Sequence, residues 1–191
     1  VKNAIAAAAA ALLLGMPSQA VAQGLRDFRG AGRRFEYKGM VKGAAVYDDY
    51  AHHPGELKAL LETTASLGYQ RVICAFQPHT YTRTKELFDQ FVQVLQLPDK
   101  ALFSEFAAVL QQADVTFLAE IFAAREKNEV GISSQDLAAA VPGARAAKNF
   151  DQLTQWLYDL ARPGDLILTV GAGDIYTVGE ELVRRGQMES T

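Results

Sequence analysis

The stretch Leu-Ile-Leu-Thr-Val-Gly-Ala-Gly-Asp, residues 166–174, combines a continuous apolar run with a Gly-x-Gly turn. A second apolar run, Val-Ile-Cys-Ala-Phe, occupies residues 72–76. Short apolar runs of this kind are typical of parallel strands that are buried on both faces. We therefore expect both runs to be central strands of one sheet, with Cys74 as a buried, unreactive thiol within it.

Strand and helix patterns alternate along the rest of the chain. Predicted strands cover 34–38 (ending in a turn at Gly39), 44–47, 72–76, 115–118 and 166–170; predicted helices cover 54–65, 136–140, 150–160 and 174–185, and another starts near Thr82. This alternation predicts an α/β domain over residues 33–186, followed by a tail at 187–191. Its core is a Rossmann-like, mainly parallel sheet with helices on both faces. A pattern at 87–96 recurs at 102–111, and we interpret the two copies as amphipathic helices.

The first residues allow two interpretations. Residues 1–23 imitate a secretory signal that ends in small residues. Alternatively, an alanine-rich helix ends at Gly15 and a short helix follows over 19–28, capped by Ser18. The high helix propensity of alanine favours the second interpretation.

Composition limits the possible functions. The chain has 191 residues, with 19 basic and 22 acidic side chains and a net charge of −3. Because there is no basic excess, we do not expect nucleic-acid binding. The sequence contains no run of 18 apolar residues, so it predicts no membrane-spanning helix. A single cysteine excludes an internal disulfide and a Cys-rich zinc site.

A polar loop follows the predicted strand 44–47. It contains Asp48, Asp49, Tyr50, His52 and His53. Asp49 or His53 can cap the next helix, with Asp48 as a solvated loop residue. A cap uses only one side chain, however, so the density of polar groups predicts ligand binding at the carboxyl end of the strand. We expect no metal here, since adjacent histidines point in different directions and no second ligand pair appears.

A second polar loop, Gln-Pro-His-Thr-Tyr-Thr-Arg-Thr, follows the run 72–76 and contains His79 and Arg83. Arg83 falls near the start of the next helix. A guanidinium beside unpaired backbone N–H groups suits a carboxylate or a phosphate. The alternative is a surface arginine in a helix that a threonine caps.

Two further turns are weaker candidates. The Gly-Ala-Gly turn either approaches a ligand or only permits close packing, and Asp174 is expected to cap the following helix with or without contacting a ligand. Arg125 and Glu126 form either a structural ion pair or part of a site. The sequence contains no Gly-x-x-x-x-Gly-Lys-Ser/Thr loop, no full Gly-x-Gly-x-x-Gly fingerprint and no signalled catalytic triad.

These segments together resemble the C-terminal domain of the Mur ligases. The matching motifs include Asp-Asp-Tyr-Ala-His-His-Pro and Phe-Gln-Pro-His-Thr-Tyr-Thr-Arg-Thr; the matching segments are 24–36, 48–54, 76–84, 123–126 and 163–175. Residues 1–32 resemble the last helices of the family's central ATP-binding domain, which removes the signal-like interpretation.

The resemblance implies an ATP-dependent ligase of the bacterial cytoplasm that acts in peptidoglycan synthesis. ATP phosphorylates the carboxylate of UDP-N-acetylmuramate, and the amine of L-alanine attacks the acyl phosphate. The central domain supplies the phosphate loop and the magnesium (Mg) ligands, so this chain is expected to be inactive alone and to work with the enzyme's N-terminal and central domains.

The resemblance also assigns roles to individual residues. By motif position, Arg83 is expected to bind the alanine carboxylate, and Tyr50, His52 and His79 are expected to line the same pocket. Asp49 lies near the nucleotide ribose. Beside these roles, we expect Asp48, His53, Arg125 and Asp174 as supporting residues from their places in the polar loops and turns, and we expect none of the residues to be catalytic or a metal ligand.

Two other functions compete with this one. A related ligase that recycles a murein tripeptide shares the Asp-Asp-x-Ala-His-His-Pro loop, but its second motif does not resemble Gln-Pro-His-x-Tyr-x-Arg-Thr, which favours alanine addition. The non-enzymatic alternative is a free-standing ligand-binding α/β module, which requires a native start near Val1.

Overall fold

A mainly parallel sheet organises the described residues from Arg33 onward. The computed structural model describes residues 2–28, 30–95 and 115–189. The strands are β1 (Glu36–Val41), β2 (Ala44–Asp49), β3 (Arg71–Phe76), β4 (Val115–Leu118), β5 (Arg145–Ala146) and β6 (Asp165–Val170). Their order is β1-β2-β6-β3-β4-β5, and only β1 pairs antiparallel with its neighbour among these strands. The predicted α/β class with a mainly parallel sheet is therefore confirmed.

Helices cover both faces of the sheet, as predicted. They are α3 (Pro54–Ala65), α4 (Tyr81–Glu86), α5 (Phe88–Leu95), α6 (Ser134–Ala140), α7 (Phe150–Leu160) and α8 (Tyr176–Glu189). Side chains alternate along β3, so Ile73 and Ala75 face the core formed with α7 and α8, whereas Cys74 and Phe76 face the core formed with α3, α5 and α6. Cys74 is fully enclosed, as its apolar run predicts. No helix in the described ranges has the length and apolarity needed to cross a membrane.

Residues 1–32 form a separate compact unit. It contains α1 (Lys2–Leu13) and α2 (Ser18–Asp27), as the alanine-rich interpretation predicts. The prediction that Ser18 caps the second helix is wrong. Pro17 occupies the cap position, and Ser18 is the first residue of the helix itself. A side-chain cap must come from the residue before the helix, so Ser18 does not supply it.

The first strand differs from its predicted bounds. β1 continues through Gly39, where a bulge shifts its register against β2, and the hairpin turn lies at Lys42 and Gly43. Gly39 has a φ of 143°, and a Cβ there would lie 2.7 Å from Cγ1 of Val183. Glycine therefore permits the bulge and the close packing, and it does not end the strand.

Other helix bounds also moved. The helical stretch near Thr82 is divided at Leu87 into α4 and α5. The last helix begins at Tyr176 instead of 174. The second copy of the repeated pattern, at 102–111, lies outside the described residues.

The position of β6 decides where polar groups gather. It lies between β2 and β3 in the sheet, parallel to both. The loops that follow these three strands therefore emerge at the same edge, which is where open parallel sheets bind ligands.

Candidate functional site

Four predicted binding residues meet at this edge. Tyr50 and His52 follow β2, whereas His79 and Arg83 follow β3. The rings of Tyr50 and His52 are 5.5 Å apart, and those of His52 and His79 are 5.6 Å apart, both edge to face. The charge of Arg83 acts on His79. The structure thus brings the loops after β2 and β3 together.

Two buried polar atoms in this group lack a hydrogen-bond partner within the described residues. They are Nδ1 of His79 and Nη1 of Arg83. Buried polar atoms are nearly always hydrogen-bonded in folded proteins, because an unmade bond is costly. A guanidinium nitrogen in this state is suited to a ligand carboxylate or phosphate.

The loop that carries His79 is pinned to the loop after β4. The His79 ring stacks on Phe122 at 5.5 Å. The Thr80 N–H donates to the Phe122 carbonyl and the Phe122 N–H donates to the Pro78 carbonyl, both at 2.9 Å. Thr80 has a φ of 63°, a strained conformation for a β-branched residue. Strain of this kind is found where the surrounding structure fixes a functional loop.

Burial and charge keep the His79 ring neutral. Desolvation lowers its pKa below the ordinary histidine value, and the nearby His52 and Arg83 lower it further, against an opposing effect of Glu126. A neutral imidazole has one donor and one acceptor nitrogen. His79 can therefore donate one hydrogen bond to a ligand or accept one from it.

His53 and Glu56 cap α3. The Gly55 N–H donates to His53 Nδ1 at 3.2 Å, and the backbone N–H groups of His52 and His53 donate to Glu56 Oε2. Burial acts to raise the pKa of Glu56, but these hydrogen bonds and the His52 charge outweigh it and the pKa is lowered. The helix-cap interpretation of His53 is therefore confirmed, and its supporting role at a site stays a prediction.

Arg33, which sequence reasoning did not single out, connects the strand ends. Its Nε donates to Asp48 Oδ2 at 2.9 Å, Nη1 to the Gly173 carbonyl at 2.8 Å and Nη2 to the Gly171 carbonyl at 2.6 Å. Its guanidinium also lies 5.1 Å from the ring centroid of Tyr50. The residue lies inside the family motif at 24–36, but its partners after β6 are far away in sequence, so no local pattern reveals this role.

The two aspartates of the polar loop are buried in β2. Asp48 is fully buried and also accepts from Thr169 Oγ1 at 2.8 Å, so its interpretation as a solvated loop residue is wrong. Desolvation raises the pKa of Asp48, although the bonds from Arg33 and Thr169 oppose the shift. Asp49 Oδ1 accepts from the Ala51 N–H and Oδ2 from the Phe35 N–H, each at 2.8 Å. These bonds fix the loop, and the contact of Asp49 with a ribose stays a prediction.

The Gly-Ala-Gly turn permits close packing. A Cβ at Gly173 would lie 2.4 Å from Gln77 Oε1 and 2.6 Å from Phe122 Cγ. Gln77 also donates to Asp174 Oδ1 at 2.9 Å and accepts from the Ile175 N–H at 3.1 Å. The expected capping of α8 by the Asp174 side chain is wrong, because that carboxylate turns toward Gln77 and the helix begins later.

Arg125 and Glu126 do not form an ion pair with each other within the described residues. Arg125 is exposed. Glu126 Oε1 accepts from Thr82 Oγ1 at 2.5 Å and Oε2 from the Thr82 N–H at 3.0 Å. The ion-pair interpretation is therefore not what the structure has, and the supporting role of Arg125 stays a prediction.

The described ranges contain no group of three or more His, Cys, Asp and Glu residues arranged to hold a metal ion. The acidic groups around the site are already engaged: Asp48 by Arg33, and Asp49, Glu56 and Glu126 by backbone N–H groups. The residues at this edge therefore do not fit a metal centre.

Residues 33–173 match the family model described as Mur ligase, glutamate ligase domain. The chain is 39% identical over 190 residues to the UDP-N-acetylmuramate–L-alanine ligase of Caldanaerobacter subterraneus subsp. tengcongensis, which covers 97% of this chain and 38% of that protein. It is 42% identical over 188 residues to the ligase of the same name from Lachnospira eligens, covering 96% and 38%. The chain therefore spans less than half the length of these relatives.

Solved structures show the same fold. The UDP-N-acetylmuramate–alanine ligase of Thermotoga maritima superposes with a TM-score of 0.69 at 26% identity, over 98% of this chain and 37% of that one. A bifunctional folylpolyglutamate synthase/dihydrofolate synthase from Yersinia pestis, complexed with AMPPNP and Mn, superposes with a TM-score of 0.57 over 89% of this chain and 35% of that one. The second likeness, at 17% identity, concerns the fold alone.

Proposed function

The chain belongs to the Mur ligase family, and we propose that it is the amino-acid-recruiting and nucleotide-contacting domain of an ATP-dependent enzyme that joins L-alanine to UDP-N-acetylmuramate. The observation that carries this proposal is the buried, unpartnered Nη1 of Arg83 beside His79 at the carboxyl edge of the sheet. The similarity to L-alanine ligases along nearly the whole chain supports it.

In the proposed reaction, Arg83 binds the carboxylate of L-alanine. A guanidinium pairs with a carboxylate through two parallel hydrogen bonds, which fix both the distance and the plane of the substrate. Tyr50, His52 and His79 surround the same position and restrict the space around it. Holding the carboxylate this way leaves the amine free to point at its reaction partner.

The nucleotide and its metal are assigned mainly to another domain. When bound, ATP supplies the phosphoryl group that activates the carboxylate of UDP-N-acetylmuramate. Because the described residues offer no metal site, we assign Mg²⁺ to the central domain and derive no step through it here. Asp49 is proposed to lie near the nucleotide ribose. Such an enzyme uses cytoplasmic ATP, so we propose that the protein is cytoplasmic and bacterial.

We also propose that residues 1–32 are the helical end of the central ATP-binding domain and that 33–186 are the C-terminal ligase domain, with α8 continuing to Glu189, into the predicted tail at 187–191. The division of the chain after Gly32 supports the first boundary. The first unit also leaves large apolar side chains exposed: Leu13 by 88%, Leu14 by 84% and Phe28 by 67%. Exposed apolar patches of this kind mark surfaces that another part of a protein covers. The murein-tripeptide ligase is not favoured, since the relatives at about 40% identity carry the alanine-ligase name.

The test uses the full-length enzyme that contains this domain. We expect repeated turnover of ATP to ADP only when both UDP-N-acetylmuramate and L-alanine are present. Replacing L-alanine by the murein tripeptide is expected to abolish this turnover. Turnover with the tripeptide and none with L-alanine would reverse the assignment.

A further inference from the structure

We propose that Glu126 is a positioning residue for substrate binding: it fixes the first turn of α4 and thereby the direction of the Arg83 side chain. The ligand of Arg83 rests on the proposed function, whereas the mechanical role of Glu126 does not. Glu126 comes from the loop after β4, and Arg83 from the helix after β3.

Glu126 replaces the cap that α4 lacks. Thr80 occupies the cap position with a φ of 63° and makes no side-chain capping bond. The Glu126 carboxylate instead takes both the N–H and the hydroxyl of Thr82, at 3.0 and 2.5 Å. These bonds hold Thr82, the residue immediately before Arg83, through the two oxygens of one carboxylate.

α4 needs this support because it is short. It has six residues, and helices of that length are not stable without tertiary contacts. The side chain of Arg83 makes no hydrogen bond in the described part of the chain, and its Nη1 is buried without a partner. Because no hydrogen bond of its own holds the guanidinium, the backbone from which the side chain starts contributes to its direction, and Glu126 fixes that backbone.

Charge supports the same role. The Thr82 hydrogen bonds lower the pKa of Glu126, so it is anionic at neutral pH. Its charge acts on His79, on which the charge of Arg83 acts in the opposite sense. The Glu126 carboxylate is already hydrogen-bonded to Thr82 at the start of α4. The Arg83 guanidinium therefore stays available for a substrate carboxylate.

Two substitutions separate the hydrogen bonds from the charge. In Glu126→Gln, the amide oxygen can accept from the Thr82 N–H and the amide nitrogen can donate to the Thr82 hydroxyl, so both bonds persist without the charge. In Glu126→Ala, both bonds and the charge are lost. Glu129 lies in the same loop and is exposed, so Glu129→Gln and Glu129→Ala are the matched controls.

In the full-length enzyme, we expect Glu126→Ala to raise the KM for L-alanine by on the order of tenfold to a hundredfold, with the KM for ATP unchanged. Glu126→Gln is expected to rescue most of this loss. Wild-type alanine KM in Glu126→Ala, or an equal loss in both variants, would overturn the positioning role.

A second readout uses this chain without substrates. ¹⁵N relaxation of the Arg83 Nε–Hε group is expected to show greater mobility in Glu126→Ala than in wild type, and wild-type mobility in Glu126→Gln. Unchanged mobility in Glu126→Ala contradicts the inference. If instead mobility changes as expected but the enzyme does not use L-alanine, the proposed substrate is wrong and the positioning role stands.

Discussion

The imidazole rings of His52 and His79 meet edge to face with 5.6 Å between their centroids. One ring belongs to the loop after β2 and the other to the loop after β3, on opposite sides of β6 in the sheet. The contact therefore joins the two loops on either side of β6. Substitutions in either loop are therefore expected to affect the other.

The first prediction concerns Arg83 in the full-length enzyme. Arg83→Lys keeps the charge but loses the planar pair of donors, so we expect a higher KM for L-alanine. Arg83→Ala is expected to cost about 2–4 kcal/mol in kcat/KM for L-alanine. Steady-state kinetics with L-alanine varied at saturating ATP measure both effects.

Lys85 provides the control for Arg83. It lies on the same helix and is exposed, so Lys85→Gln removes a positive charge without touching the site. We expect wild-type alanine kinetics in this variant. If Arg83→Lys and Arg83→Ala retain wild-type alanine KM and lose only thermal stability, Arg83 is a structural residue and the carboxylate has another ligand.

The second prediction concerns the titration of His79. Burial, with the charges of His52 and Arg83, lowers its pKa, so its NMR titration midpoint is expected below the ordinary value of 6.5. Arg83→Gln removes one of these charges and is expected to raise the midpoint. A wild-type midpoint at or above the ordinary value contradicts the described environment.

The lowered pKa of His79 also makes the stability of the protein depend on pH. Near the ordinary pKa the unfolded chain binds a proton that the native His79 does not, so stability rises with pH there. This contribution to stability is fully present above the pKa of His79 in the unfolded chain, and it is lost as the pH falls through the pKa of His79 in the native protein. We expect the melting temperature of the wild type to fall more than that of His79→Gln between about pH 7.5 and 5.5.

The third prediction concerns Arg33. We expect Arg33→Ala to lower the free energy of unfolding by about 3 kcal/mol, because it leaves the fully buried Asp48 without its partner. The value is at the low end for buried pairs, since the Arg33 side chain is 21% exposed. Urea unfolding followed by circular dichroism provides the measurement.

A double variant separates the pair from general packing. Asp48→Asn removes the buried charge, so adding it to Arg33→Ala is expected to recover about 1–2 kcal/mol. A further loss on adding Asp48→Asn indicates that the Asp48 charge has other partners and that its link to Arg33 is minor.

The fourth prediction concerns the turn after β6. Gly173→Ala places a Cβ within 2.6 Å of the Phe122 ring, so we expect a loss of about 1–3 kcal/mol in stability. Phe122 stacks on His79, and the His79 signals are expected to shift as well. Gly55→Ala is the control, because its Cβ has 3.7 Å to the nearest atom. Equal stability in the two variants would show that the turn tolerates a side chain.

The fifth prediction concerns this chain by itself. We expect it to fold but not to release phosphate from ATP, because the proposed phosphate-binding groups lie in the central domain. Its affinity for L-alanine is expected to be about millimolar or weaker, since domain closure completes such sites. Circular dichroism, phosphate release and calorimetry test this. Phosphate release by a preparation free of contaminating ATPases contradicts the prediction.

The elements with a strong local signal were predictable from the sequence. β3 and β6 are buried on both faces, so their apolar runs were unambiguous. β5 has two residues and gives no periodic signal. The order of the strands depends on pairing between distant segments, so the place of β6 between β2 and β3 was not in the local pattern.

The sequence predicted which residues lie at the candidate site better than it predicted the role of each one. Polar loops at strand ends correctly located Tyr50, His52, His79 and Arg83 at one edge. The bonds of Arg33 to Gly171 and Gly173 span 138 and 140 residues, and no local pattern predicts them. Asp174 looked like a cap because it precedes a helix, but Gln77 from the neighbouring loop competes for its carboxylate.

The central place of β6 has a consequence for synthesis of the protein. A ribosome synthesises Asp165–Val170 after the other five strands of the described residues, yet both β2 and β3 pair with this segment. A nascent chain that stops before Asp165 holds two separate pieces of sheet, each with an edge that lacks its neighbour. Open edges of this kind pair with other chains, so truncation products are expected to aggregate. The loops of His52 and His79 can therefore reach their final positions only after this segment has been synthesised.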